Sequence, residues 1–195
     1  SAASDVYKRQ IVPEGKEQLV ADKLCEVVRA NNHFLDFGLL GSKSVPAMLT
    51  RYGYVEDAMK MITKTEAPSW GYWVETMGYT TLPETWTLSP QFRDASLNHV
   101  FMGDVSAWMM NQLAGINYDA AGPGFRHILI TPHFVEGMDW AKGEYHSVRG
   151  LISSQWKREG GKVTLTVTIP SGCTADIRVG DKTETVGSGT YVNTY

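Results

Sequence analysis

Residues 163–169 are Val-Thr-Leu-Thr-Val-Thr-Ile, so aliphatic side chains alternate strictly with threonines. Successive side chains of a β-strand point to opposite faces, and this alternation therefore predicts a half-buried antiparallel strand. Glu159-Gly160-Gly161, directly before it, is suited to a hairpin turn. A similar period continues outward from this stretch and predicts further strands at 127–132, 140–146, 151–157 and 175–179.

On the N-terminal side of Gly122-Pro123-Gly124 the hydrophobic period becomes helical. Apolar side chains recur at helical spacing in four segments, which are 14–31, 44–52, 55–64 and 97–113. In the first segment we expect five residues to face inward: Leu19, Val20, Leu24, Val27 and Val28. Helices followed by strands predict a two-domain α+β chain with a boundary between residues 122 and 123. Helices joined by loops rich in Trp, His and Glu are typical of an α/α toroid whose loops line a cleft.

Composition excludes several classes of partner. The 195 residues carry a net charge of −3, and no basic stripe or polybasic run predicts binding to nucleic acid or to an anionic membrane. No apolar run approaches the ~20 residues of a membrane span. Cys25 and Cys173 lie far apart and outside any CxxC pair, which argues against a disulfide framework. The histidines lack ligand spacing of the HExxH type, so we expect no metal and no cofactor.

The first ten residues differ in character from the rest. Residues 1–10 show no strand or helix period, and Asp-Val-Tyr-Lys-Arg-Gln at 5–10 resembles a translated sequencing adaptor. We therefore leave them out of the fold argument and expect residues 11–195 to be the C-terminal part of a longer protein.

Aromatic residues, carboxylates and a histidine are concentrated between residues 70 and 99. Trp70 and Trp86 are aromatic faces of the kind that pack on sugar rings, and carboxylates beside them could activate water or donate a proton. Glu84 and Glu75 are the candidate carboxylates, and His99 is a candidate hydroxyl ligand. The alternative interpretation is structural, because such tryptophans more often fill cores and loop carboxylates are more often solvated or capping.

Six segments, in order along the chain, resemble bacterial α-L-rhamnosidases. They are His33–Ser42, Pro68–Glu75, Gly78–Trp86, Ser96–Gly103, Leu113–Ile116 and Pro123–Ile128. The resemblance implies the C-terminal part of an (α/α)6 barrel at residues 11–122, followed by an antiparallel β-sandwich at residues 123–195. It also implies hydrolysis of terminal α-L-rhamnosides with inversion. The expected partners are a rhamnose-containing glycoside or polysaccharide and the N-terminal part of the same chain.

The resemblance also assigns roles to individual residues. Glu84 corresponds to the general base, and His99 corresponds to a residue of the sugar pocket. Trp70 and Trp86 are expected pocket walls, and Glu75 is the rival carboxylate. His33 and Asp36 match a family segment without an assigned role.

The sequence departs from the family pattern at two places that affect which substrate is bound, and it lacks one residue that the reaction needs. Pro83 stands where the family often has Trp, and the loop between Glu84 and His99 is short. The family's general acid comes from an upstream loop, which would lie before Ile11. Residues 11–195 alone are therefore expected to be inactive.

Three alternatives remain open at this stage. One is another (α/α)6 glycosidase of fucosidase-like or trehalase-like type. A second is a non-catalytic carbohydrate-binding or scaffold domain, which would use Trp140, Tyr145, Trp156 and Tyr191; we expect Trp140 and Trp156 instead to fill the core or a domain contact. A third is a polysaccharide lyase, which needs more basic residues than Arg93 near the cluster.

Overall fold

The computed structural model describes residues 12–86 and 95–195. The expectations for residues 1–10 and for Arg93 lie outside these ranges. The chain divides into two compact units, residues 1–106 and residues 107–195. The first carries helices α1 (Glu17–Ala30), α2 (Leu39–Arg51) and α3 (Val55–Thr63) and a π-helical turn at Tyr72–Thr76. The boundary between the units falls within the short helix α4 (Asp104–Trp108), and a second π-helical turn follows at Met109–Leu113.

The core of the first unit lies between these helices. Leu49, Ala58 and Met61 of α2 and α3 are fully buried. Helix α1 turns a narrow stripe of small side chains inward, at Ala21, Cys25 and Val28. The prediction that Leu19 and Val27 face inward was therefore wrong, since these side chains are 64% and 56% exposed.

The predicted helix at 97–113 was wrong over its first half. Residues 98–103 form an irregular stretch that ends in turns at residues 100–103, and regular helix begins only at Asp104. The backbone N–H of Phe101, which a helix would use, instead donates to His99 Nδ1 at 3.3 Å. The N–H of His99 donates to the distant carbonyl of Leu82 at 2.8 Å, which holds this stretch in a loop pairing. An N–H committed to a loop partner does not form the i to i−4 bond of a helix.

The second unit contains eight strands in two four-stranded sheets. They are β1 (Ile116–Tyr118), β2 (His127–Ile130), β3 (Trp140–Ser147), β4 (Gly150–Glu159), β5 (Lys162–Ile169), β6 (Thr174–Val179), β7 (Lys182–Val186) and β8 (Gly189–Thr194). The orders are β1-β2-β6-β7 and β3-β4-β5-β8. All pairs are antiparallel except β2 with β6, which are parallel with Ile128 opposite Ala175.

Alternation determines the core of this second unit. Val163, Leu165, Val167 and Ile169 are buried along β5, while the threonines between them lie on the other face. Buried aliphatic residues alternate in the same way on β2 and β6 of the other sheet. The chain is therefore α+β, with helices followed by a β-sandwich whose core comes from one face of each sheet.

Two tryptophans of this unit differ sharply in burial. Trp156 on β4 is fully buried, and its Nε1 donates to the carbonyl of Leu113 at 2.8 Å. Trp140 on β3 is 60% exposed, so the expectation that it fills the core was wrong. Ala141 and Gly143 take the inward positions of β3, which places Trp140 on the outer face.

Candidate functional site

A cluster of four aromatic rings in the first unit includes Trp86, which follows the candidate carboxylate Glu84 by two residues. The ring of Trp86 stacks on Trp73, with centroids 4.6 Å apart and an interplanar angle of 23°. It meets the ring of Trp70 edge to face at 4.9 Å and that of Phe37 at 6.0 Å. Trp70 and Trp73 are only 3% and 1% exposed, whereas Trp86 is half-buried. Trp86 is therefore the tryptophan of this cluster with appreciable surface available to a ligand.

Indole N–H groups hold the cluster together and join it to Met102. Trp70 Nε1 donates to the carbonyl of Met102 at 3.0 Å, and Trp73 Nε1 donates to the carbonyl of Trp86 at 3.3 Å. Trp86 Nε1 donates to the carbonyl of Phe37. Buried aromatic N–H groups require such partners, and each bond fixes the orientation of its ring.

A glycine allows the segment carrying Trp70 and Trp73 to pack closely. A Cβ at Gly71 would lie 2.6 Å from the carbonyl oxygen of Lys64, far inside van der Waals contact. Ser69 contributes on the same side, because its hydroxyl donates to the Lys64 carbonyl and accepts the N–H of Tyr72. The segment Pro68–Tyr72 is thus held against the end of helix α3.

Glu84 lies where two chain segments pair. Its backbone N–H donates to the carbonyl of Ser96 at 2.8 Å, and its Oε2 accepts the backbone N–H of Ser96 at 3.1 Å. The side chain is half-buried and lies two residues before Trp86. A backbone donor of this kind fixes a carboxylate in one orientation, as a general base requires.

His99 belongs to the same pairing, because its N–H donates to the carbonyl of Leu82, two residues before Glu84. Its Nδ1 accepts the N–H of Phe101 at 3.3 Å, and its ring meets that of Phe101 edge to face at 5.3 Å. In the neutral ring an accepting Nδ1 places the proton on Nε2. His99 therefore offers an Nε2–H donor, which suits a sugar hydroxyl.

The remaining predicted site residues lie apart from this pairing. Glu75 is exposed on the π-helical turn, and Asp36 is also exposed. The Nε2 of His33 lies 2.9 Å from Asp57 Oδ1, and Arg29 donates to both oxygens of the same carboxylate at 2.8 Å. Within residues 12–86 and 95–195, no group of three or more His, Cys, Asp or Glu side chains is arranged to hold a metal ion.

Asp57 is the residue that the sequence interpretation missed. It is 5% exposed, and hydrogen bonds from Arg29 hold the pKa of its carboxyl well below the ordinary value of 3.8. Burial acts in the opposite direction, and the bond to His33 reinforces the lowering. The sequence carried one signal for Asp57: a carboxylate shares the inward side of helix α3 with Ala58 and Met61, and a buried carboxylate needs a partner.

The aromatic side chains of the second unit do not form a binding platform among its described strands. Trp140 occupies an outward position of β3, whereas Tyr145 follows the inward alternation with Ala141 and packs on Phe125 at 4.9 Å. Tyr191 pairs with buried Val167 and shares its inward side. A flat sugar surface needs exposed rings on one face, whereas the exposed rings of Trp140 and Tyr145 (60% and 44%) lie on opposite faces of β3, so this arrangement does not favour the carbohydrate-binding alternative.

No helix among the described residues is both long and apolar enough to cross a membrane.

Comparison with known families accounts for most of the chain. The sequence profile of the bacterial α-L-rhamnosidase 6 hairpin glycosidase domain matches residues 7–113. That of the bacterial α-L-rhamnosidase C-terminal domain matches residues 115–192.

Individual relatives that match the chain are also α-L-rhamnosidases. An α-L-rhamnosidase of Streptomyces avermitilis is 30% identical over 173 residues, which are 86% of this chain and 16% of the relative. One of Formosa agariphila is 26% identical over 171 residues, or 86% of this chain and 18% of the relative. The chain thus spans less than a fifth of the length of these relatives.

Solved structures agree in fold. The α-L-rhamnosidase of Aspergillus terreus superposes with a TM-score of 0.90 at 25% identity, covering 99% of this chain and 23% of the other. The α-L-rhamnosidase of Streptomyces avermitilis complexed with L-rhamnose superposes with a TM-score of 0.89 at 26% identity, covering 100% of this chain and 21% of the other.

Proposed function

Because the chain belongs to the bacterial α-L-rhamnosidase family, we propose that it supplies the general base and part of the sugar pocket of an enzyme that hydrolyses terminal α-L-rhamnosides with inversion. The observation that carries this proposal is the position of Glu84. Its half-buried carboxylate is oriented by the N–H of Ser96, and it lies two residues before the half-buried ring of Trp86. A carboxylate held in a fixed orientation is what removal of a proton from the attacking water requires.

In the proposed reaction Glu84 takes one proton from a water molecule as the water oxygen bonds to the anomeric carbon. The bond from that carbon to the leaving oxygen breaks on the opposite face, and a carboxylic acid protonates the leaving oxygen. Inverting enzymes hold the two carboxyls about 6.5–9.5 Å apart, which leaves room for the water. We assign the acid to no residue of this chain, since the family resemblance places it upstream of Ile11.

We propose different roles for the neighbouring side chains. His99 donates its Nε2–H to a sugar hydroxyl, and Trp86 forms a wall of the pocket. Trp70 is 3% exposed and contacts Trp86 edge to face, so its part in the wall is to support Trp86 from behind. Glu75 is the alternative base. Its exposure argues against it, because an exposed carboxylate has no fixed direction.

The test compares Glu84→Gln with Glu75→Gln in the longest reading frame that encodes this chain, using an aryl α-L-rhamnoside. We expect Glu84→Gln to lower kcat by about 10²–10⁴-fold, the usual contribution of general base catalysis, and Glu75→Gln to leave it unchanged. Azide should restore turnover of the Glu84 variant, because this anion attacks without losing a proton. Nuclear magnetic resonance of the azide product should show the inverted anomer.

Other results would overturn parts of the proposal. Loss of turnover in Glu75→Gln but not in Glu84→Gln would move the base to Glu75. Retained anomeric configuration would remove the role of Glu84 as a base for water. A wild type that is inactive on rhamnosides and active on another glycoside would remove rhamnose as the substrate.

A further inference from the structure

We infer that Arg29, Asp57 and His33 form a clamp that positions Trp86, so that His33 is a positioning residue for the sugar pocket. The inference rests on the proposed function only for its effect on activity, because the clamp itself is a structural relation. The clamp gives His33 a role, which neither the family resemblance nor the proposed reaction assigned to it.

Asp57 is the centre of the clamp and is almost fully buried. Its Oδ1 accepts from Arg29 Nε at 2.8 Å and contacts His33 Nε2 at 2.9 Å, and its Oδ2 accepts from Arg29 Nη2 at 2.8 Å. Its side chain is 6% exposed, that of His33 21%, and that of Arg29 57%. A buried carboxylate that accepts from Arg29 and His33 has a strong directional preference, so it fixes the position of the His33 ring.

His33 also holds an unfavourable backbone conformation. Asn32 and His33 have φ angles of 51° and 59°, in the left-handed region that costs energy for residues with a side chain, although Asn and His adopt it more readily than most. The N–H of His33 donates to the carbonyl of Val28 at 2.9 Å, which closes the end of helix α1. Contacts outside the turn must offset the steric cost of two such residues, and the bond from His33 to Asp57 is one of them.

Four residues connect this turn to the aromatic cluster. In that segment Leu35 is 4% exposed, and its N–H donates to the carbonyl of Pro68 at 3.3 Å. The segment ends at Phe37, whose carbonyl accepts from Trp86 Nε1 and whose ring contacts that of Trp86. A shift of the turn at His33 therefore moves the acceptor that orients Trp86.

Trp86 transmits such a shift to the candidate base. Its backbone carbonyl accepts from Trp73 Nε1 at 3.3 Å, and Glu84 precedes it by two residues. Catalytic groups must stay close to their productive geometry, and a displacement of about 1 Å can cost about 10²-fold in rate. The clamp thus acts on the reaction through Trp86.

The test uses three variants. His33→Ala removes the bond to Asp57 and leaves the Arg29 pair in place. His33→Gln retains a donor at nearly the same position. Tyr54→Phe is the matched control. It removes a different hydrogen bond to helix α1, the one that the Tyr54 hydroxyl donates to Asp22 at 2.7 Å.

The first readout is hydrogen exchange of the indole N–H groups in the ¹⁵N-labelled chain, with the resonances assigned by Trp→Phe variants. We expect His33→Ala to accelerate exchange at Trp86 Nε1 by about tenfold or more, corresponding to about 1.4 kcal/mol, while Trp156 of the second unit is unchanged. His33→Gln should restore slow exchange, and Tyr54→Phe should leave it unaltered.

The second readout is kcat/KM on an aryl α-L-rhamnoside in the longest reading frame. We expect a loss of about 10–100-fold for His33→Ala, recovery in His33→Gln, and no loss in Tyr54→Phe. Unchanged exchange at Trp86 in a folded His33→Ala variant would overturn the clamp, as would an equal change in Tyr54→Phe. If the wild type hydrolyses no rhamnoside, the proposed function fails, while the exchange measurement still decides the clamp.

Discussion

Replacement of Trp156 by Phe gives a direct measure of how the second unit is held together. Trp156 is fully buried, its Nε1 donates to the carbonyl of Leu113 at 2.8 Å, and its ring meets that of Phe134 at 5.3 Å. It therefore fastens the π-helical turn at Met109–Leu113 to the core of the sandwich within one unit. Phe retains an aromatic ring but has no donor.

The expected cost has two parts. The carbonyl of Leu113, itself a residue only 5% exposed, loses this donor, which costs about 1–3 kcal/mol. The smaller ring leaves a cavity of roughly 40 Å³, which costs about 1 kcal/mol at ~24 cal/mol per Å³. The free energy of unfolding should fall by about 2–4 kcal/mol, and the midpoint of thermal unfolding should fall by roughly 10–20 °C for a unit of this size.

Trp140→Phe is the matched control, because it makes the same substitution on the neighbouring strand at a residue that is 60% exposed. Its free energy of unfolding should stay within about 0.5 kcal/mol of the wild type. Hydrogen exchange of peptides from β5, measured by mass spectrometry, reports the opening of this unit alone. A Trp156→Phe loss below about 1 kcal/mol, or an equal loss in Trp140→Phe, would refute the reasoning.

Three further predictions concern single positions. Ser154→Ala should stabilise the second unit by about 1 kcal/mol in urea unfolding, because the Ser154 hydroxyl is buried without a hydrogen-bond partner among the described residues; a loss of stability would contradict this. Gly115→Ala should cost about 3 kcal/mol or more in the same assay, because φ is +80° and a Cβ would lie 2.2 Å from the nitrogen of Pro132; a neutral result would contradict the geometry. The lowered pKa of Asp57 gives stability that is present above its ordinary value of 3.8 and is lost as the pH falls below it. Acid titration of the first unit should therefore show a smaller loss below about pH 4 in Asp57→Asn than in the wild type, and parallel curves would contradict the assignment.

The family and the α+β architecture were accessible from the sequence because their signals are local. The alternation at residues 163–169 predicted β5, and the structure places that strand at Lys162–Ile169. The predicted helix at 55–64 corresponds to α3 at Val55–Thr63. Strand and helix periods follow from backbone geometry, so they persist wherever one face is buried.

Pairing between segments that are distant in the sequence was harder to predict, as the segment at 97–113 illustrates. Its apolar spacing is helical, yet His99 is drawn into a loop pairing with Leu82, and helix begins only at Asp104. The parallel pairing of β2 with β6 escaped prediction for a related reason, since the partners lie almost 50 residues apart, with His127 opposite Thr174. Contacts between distant residues leave no periodic signal in either segment.

The sequence by itself determined the kind of protein: helices, then a β-sandwich, with Glu84, Trp86 and His99 as candidates for a sugar site. Only the tertiary structure decided that Glu84 pairs with Ser96, that Trp156 is buried while Trp140 is exposed, and that Asp57 joins His33 to Arg29. Composition and period reflect what each short segment must bury. Orientation, burial and partnership of single side chains depend on which distant segments pack together, and that is settled only when the chain has folded.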